Sequence, residues 1–142
     1  MSNEQYKELV RRFYEAFADN DQVALKELLS PDLVAYSHGS PGPQSRDVHV
    51  QGIGMWNAAF ETHFAVEEQI AEADSVATRV TMRAIHNGGE FQGVPPTGKE
   101  VVADGFSVEH FSNGKIVERR VSSDFLAIMQ QLGLVPPPQP AG

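Results

Sequence analysis

The chain contains no cysteine, which removes disulfide frames, thiolate zinc sites and thiol nucleophiles from consideration. It also lacks any apolar run near the roughly 20 residues that a bilayer-spanning helix needs. Its first residues, MSNEQYKELV, have neither the basic region nor the apolar stretch of a secretory signal. These absences predict a cytoplasmic protein that does not engage a membrane. Bases are scarce as well, with 11 Lys and Arg against 19 Asp and Glu and a formal net charge of −8. Such a surface repels a phosphate backbone, and no basic cluster interrupts it, so nucleic acid is not an expected partner. A neutral or weakly charged small molecule fits better.

What is present describes one globular unit. A length of 142 residues, 41% hydrophobic and 21% charged, suits a single domain with a real core. The domain is expected over residues 1–134, with a proline-rich tail over 135–142. Tyr6, Leu9, Val10, Phe13, Tyr14 and Phe17 recur at helical spacing, and Ser2 with Gln5 offers a capping box. Asn20-Asp21 caps a second helix that stops before Pro31. Residues 32–36 suit a short strand and residues 37–47 a loop. A third helix is predicted near 52–64. The period then changes to two over 76–86, 99–111 and 115–123, and Ser123 or Asp124 caps a last short helix. Helices first and antiparallel strands after make an α+β fold.

One string, FQGVPPTGKE, nearly spells the phosphate-loop pattern G-x-x-x-x-G-K-[ST]. Pro95 and Pro96 remove two of the backbone N–H donors such a loop requires, and Glu100 stands where the magnesium-binding hydroxyl belongs. The following residues read as a strand, not a helix. The string is therefore a stiff connection between strands.

Taken together, IHNGGEFQGVPPTGK, then Gly105, HFSNGKIVE and SSDFLAIMQQLG resemble the SnoaL-like polyketide cyclase family of the NTF2-like superfamily. Members of that family share G-T-H-x-G, G-x-P-P-T-G-K, a glycine in the next strand, F-x-x-G-K-I-x-E, and an Asp followed by Q-L-G. The likeness is close over the second half of the chain. It implies a cone-shaped, curved antiparallel sheet packed on N-terminal helices around a deep apolar pocket. It also implies a homodimer or higher homo-oligomer, and an apolar small-molecule substrate handled without metal or cofactor. The family's cyclases close a ring by an intramolecular aldol reaction, and relatives on this fold hydroxylate, isomerise or hydrolyse.

The same resemblance marks a departure. The cyclases' acid/base Asp falls on Val121 and a supporting His on Ser107, and valine cannot take a proton. Other residues are then candidates for catalysis. Asp124, at the Asp of the strand-ending motif, reads as an acid/base carboxylate or as a helix cap. His86, at the G-T-H position, reads as a neutral base or as a structural histidine. Arg120 would orient a carbonyl or pair with Glu118 or Asp104, and an inward Asp104 would have a raised pKa. His38 is a candidate at the pocket rim, or an exposed loop residue. Tyr36, Trp56, Phe60, Phe106 and His110 are candidate substrate contacts, and His49 and His63 read as surface or helix residues. A three-residue loop, Ser112-Asn113-Gly114, would place Phe111 opposite Lys115. It would set Asp104, Phe106, Val108 and His110 on one face with Ile116, Glu118 and Arg120. Catalysis and non-catalytic binding of an apolar ligand both remain open at this point.

Overall fold

The computed structural model describes residues 1–37 and 40–140. Among them the chain forms four helices and five strands. Helix α1 (Asn3–Ala18) begins at the expected capping box, with the Ser2 side chain accepting from the Gln5 N–H and Gln5 reaching back to the Ser2 N–H. Its apolar stripe buries Val10, Phe13 and Tyr14. Helix α2 (Gln22–Leu28) is capped by Asp21 and runs directly into β1 (Leu29–Tyr36).

Helix α3 (Arg46–Ala59) lies earlier than the apolar spacing predicts. Ser45 caps its start, and Phe60 is already extended at its end. The residues that follow, expected as helix to 64, belong to β2 (Glu61–Glu72). Their alternation, with Thr62, Phe64 and Val66 inward, is broken by a bulge between Val66 and Glu68, which masks the period of two. Strands β3 (Ser75–Ile85), β4 (Glu100–Ser112) and β5 (Lys115–Ser123) then build the sheet, and Asp124 caps α4 (Phe125–Gln131).

The sheet order is β1-β5-β4-β3-β2. Four strands are antiparallel neighbours, and β1 joins parallel to β5. Antiparallel strands bury one face and can leave the other in water. Here the odd-numbered residues of β4 point inward, from Val101 and Ala103 to Ser107, Glu109 and Phe111. Phe106 and Val108 sit on the opposite, exposed face.

The β4–β5 hairpin corrects the expected loop. Ser112 pairs with Lys115 around two residues, Asn113 and Gly114, both at positive φ (52° and 76°). Both residues at positive φ define the tight hairpin turn whose twist matches the strands. A bulge then sets Phe111 opposite Ile116 and His110 opposite Glu118. Beyond it, Glu118, Arg120 and Ser122 share a face with His110, Val108 and Phe106, whereas Ile116 turns inward and is fully buried.

Two apolar clusters result. The larger joins α1, α2 and α3 to the inner sheet face through Phe13, Leu25, Leu29, Val50, Val80 and Ile116. The smaller gathers Phe60, Ala84, Val101, Ile128 and Leu132 near α4.

Candidate active site

A cavity of about 230 Å³ opens between α1, α3, α4 and the inner sheet face. Phe17, Ile53, Trp56, Phe64, Val80, Met82, Val121 and Phe125 form its apolar walls. Tyr14, Gln44, His49 and Arg119 line one end and give the cavity a polar pole. Each comes from a different element, which is why no local motif announces them. Val121 lines the cavity and its cross-strand neighbour is Ser107. The two positions that the family resemblance marks for acid/base work therefore do meet, without acid/base groups.

Arg119 is the centre of the pole. It is 3% exposed, and its guanidinium lies 4.4 Å from the centre of the Phe13 ring. A buried cation needs a counter-charge. Fully buried Glu109, the cross-strand partner, supplies it with Oε2 3.1 Å from Arg119 Nε. Those two atoms are close but not aligned for a hydrogen bond. Two of the four remaining Arg119 N–H donors reach Tyr14 Oη (3.2 Å) and His49 Nε2 (3.2 Å).

The hydrogen-bond inventory fixes where the protons sit. Arginine only donates, so His49 Nε2 must accept, and Nδ1–H donates to Gln44 Oε1 at 3.2 Å. Burial, followed by the Arg119 charge, pushes the His49 pKa from 6.5 to about 3, so this imidazole is neutral. On the other side, with Glu109 ionised as the counter-charge to Arg119, Ser107 Oγ donates to Glu109 Oε1 at 3.2 Å. The single Ser107 proton is thereby used, and Tyr14 must donate to Ser107 Oγ at 2.7 Å. Burial raises the Glu109 carboxyl, opposed by Arg119 and the Ser107 hydrogen bond. Burial likewise raises Tyr14, again opposed by Arg119.

The residues singled out from the sequence are dispersed around this centre. Trp56 and Asp104 line the cavity, Trp56 with its indole N–H on Thr62 and Asp104 as an exposed residue. Asp104 is thus not the desolvated inward carboxylate expected of it. His86 is fully buried, away from the cavity, in the connection that carries Pro95 and Pro96. Its Nδ1 accepts from the Thr97 N–H, its Nε2 meets the Gly89 carbonyl, and its ring stacks on Phe60. Phe60 also stacks on Trp56 and backs the cavity wall without lining it.

Asp124 is exposed and accepts from the Ala127 N–H as the cap of α4. Arg120 lies on the outer face, over the Tyr36 ring at 3.9 Å and paired with Glu118. Phe106 and His110 share that outer face, His110 bonded to Ser75. His38 lies outside the described residues. His49, read from the sequence as a surface or helix residue, is on α3 but buried. Its neighbours on that helix are mixed in polarity, so periodicity alone does not reveal its face.

Fold and site together define a small-molecule pocket protein of α+β type, and comparison with known proteins places it further. The sequence pattern of the SnoaL-like polyketide cyclase family matches residues 8–132, and the chain belongs to that family. A comparison with proteins of curated function found no match. Among solved structures, AclR of Streptomyces galilaeus, a candidate hydroxylase, is 30% identical with a TM-score of 0.87. That likeness covers 97% of this chain and 87% of AclR. IdmH of Streptomyces antibioticus, a candidate polyketide cyclase, is also 30% identical, covering 91% of this chain and 99% of IdmH with a TM-score of 0.82. An epoxide hydrolase of the LEH-like kind from M. tuberculosis shares the fold at 16% identity, a TM-score of 0.73, and coverage of 93% and 92%.

Proposed function

We propose that this chain is an enzyme that carries out acid/base chemistry, with its own side chains, on an apolar polyketide-like carbonyl compound. The observation that carries this reading is the buried Arg119 guanidinium at the polar end of a largely apolar cavity. Glu109 balances its charge, while neutral His49 merely occupies one of its N–H donors. A substrate carbonyl oxygen can take the place of His49 Nε2 on that donor. As a proton leaves the adjacent carbon, the oxygen becomes negative and its bond to Arg119 strengthens. That is selective stabilisation of the transition state. The apolar walls hold the ring system and keep water away.

Ring closure by intramolecular aldol addition leads, because the family's cyclases do this. Hydroxylation is the second reading, favoured by the likeness to AclR and by Val121 and Ser107 standing at the cyclases' acid/base positions. Mass spectrometry after incubation with aromatic polyketide esters in air, with molecular oxygen as oxidant and a two-electron reductant added, separates the two. Closure keeps the mass or loses water, whereas hydroxylation adds oxygen. Saturable binding with no conversion of any such ester would instead establish a binding protein. A homodimer or larger assembly is part of the same proposal, supported by the exposed Phe106 and Val108 on the outer sheet face.

A further inference from the structure

The cavity's acid/base pair is missing from its usual positions, yet a buried carboxylate sits two residues along β4 from one of them. Glu109 does not line the cavity. It is joined to the cavity by Ser107, which donates to it, and by Tyr14, which donates to Ser107 and lines the cavity wall. We propose that Tyr14, Ser107 and Glu109 form a proton relay that supplies this site's base and acid, with Tyr14 Oη exchanging the proton with substrate and Glu109 storing it. The inference rests on the acid/base reading above.

The step balances. A substrate C–H proton passes to the free lone pair of Tyr14 Oη, the Tyr14 proton to Ser107 Oγ, and the Ser107 proton to Glu109 Oε1. The carbon–hydrogen electron pair remains on the substrate as an enolate. The hydrogen bonds of the chain then run in reverse, from Glu109 through Ser107 to Tyr14, ready to return the proton to an alkoxide or carbon. No oxidant or co-reactant is needed.

Charge is conserved at the buried centre. Before transfer, Arg119 is balanced by the Glu109 carboxylate, and after it by the enolate. Neither state leaves a buried charge alone, which is the costly condition. The inventory is directional for a physical reason. Arg119 donates to Tyr14 Oη and so prevents that hydroxyl from turning toward the guanidinium. Its proton can point only to Ser107 among these partners. Ser107, whose methylene and hydroxyl are small, gives the relay room that the family's histidine would fill.

The test is deuterium exchange at the acidic carbon of β-tetralone, an apolar cyclic ketone, followed by proton NMR in deuterated buffer. Native protein is expected to accelerate exchange. Ser107→Ala and Tyr14→Phe, which leave the Glu109–Arg119 pair in place, are expected to lose about a hundredfold or more of that acceleration. Ser107→Ala, which does not alter the cavity lining, should bind β-tetralone as native protein does, read by Trp56 fluorescence, and Ser107→Thr should recover exchange by restoring the hydroxyl. Glu109→Gln should lose exchange too. Should it fail to fold, the alanine and threonine variants at Ser107 decide alone. Native-like exchange by folded Ser107→Ala or Tyr14→Phe overturns the relay but leaves the acid/base reading standing. Absence of exchange by native protein with bound ketone overturns both.

Discussion

Glu109 and Arg119 are the residues on which the site depends. Breaking a buried ion pair by removing one partner costs about 3–5 kcal/mol, because the other charge stays behind. Glu109→Leu and Arg119→Met are therefore each expected to lower stability by that order in urea unfolding. Combining Glu109→Leu with Arg119→Met should cost clearly less than the sum of the single losses. Additive losses would mean that the two charges do not rely on each other. His49 gives a prediction with a definite sign. Its folded pKa is lowered from 6.5 to about 3, so the unfolded chain binds a proton over that window and the folded chain does not. Stability from this group is present above 6.5 and is lost as pH falls toward 3, at up to roughly 1.4 kcal/mol per unit. His49→Gln keeps an acceptor for Arg119 and removes the titration. Its stability relative to native protein should rise between pH 7 and pH 4.5. Glu109, raised by burial, works in the opposite direction but is common to both proteins and cancels.

At the scale of elements, the caps were legible because they are local. Ser2 with Gln5 and the Asp124 cap require only short-range side-chain reach, and both are formed. Asp124→Ala should cost about 1 kcal/mol by loss of the cap, with catalytic rate per folded molecule unchanged. A much larger drop in rate would return Asp124 to the catalytic candidates. The inward face of β4 was harder to read. Its even positions include Val102, Phe106 and Val108 and look like a core face, while the odd positions include Ser107 and Glu109. Apolar alternation alone thus points to the wrong side of the sheet, and nothing local distinguishes Arg119 from Arg120. Parity held the missing signal. If Ser107 and Val121 occupy pocket positions, Glu109 and Arg119, each two residues away, share their face. Strand β2 escapes periodicity for a different reason, since its bulge interrupts the alternation and Phe60 and Phe64 continue the stripe of α3.

The whole molecule sets the chemistry through its contrast of surfaces. Its net charge is −8, and yet Arg119, the one buried Lys or Arg among the described residues, lies at the cavity end facing apolar walls. Motifs spread along β3 to α4 identified the family, because connections such as the Pro95-Pro96 segment are sequence-bound. The polar pole comes from α1, α3, β5 and the segment before α3, and only the folded chain assembles it. In the proposed assembly the outer sheet face is the contact surface. Phe106 is 56% exposed at its centre. Phe106→Glu should shift the native mass in light scattering toward the monomer, and an unchanged mass would exclude this face as the interface.

Docking of a substrate carbonyl on Arg119 is what the proposed chemistry requires. It is tested most directly by carbon-13 NMR of carbonyl-labelled β-tetralone bound to the protein, with occupancy read from the single tryptophan, Trp56. A guanidinium donor polarises the carbonyl, so its resonance should move downfield on binding to native protein and return toward the free value in Arg119→Gln. Full occupancy with an unshifted carbonyl in native protein would rule out that contact.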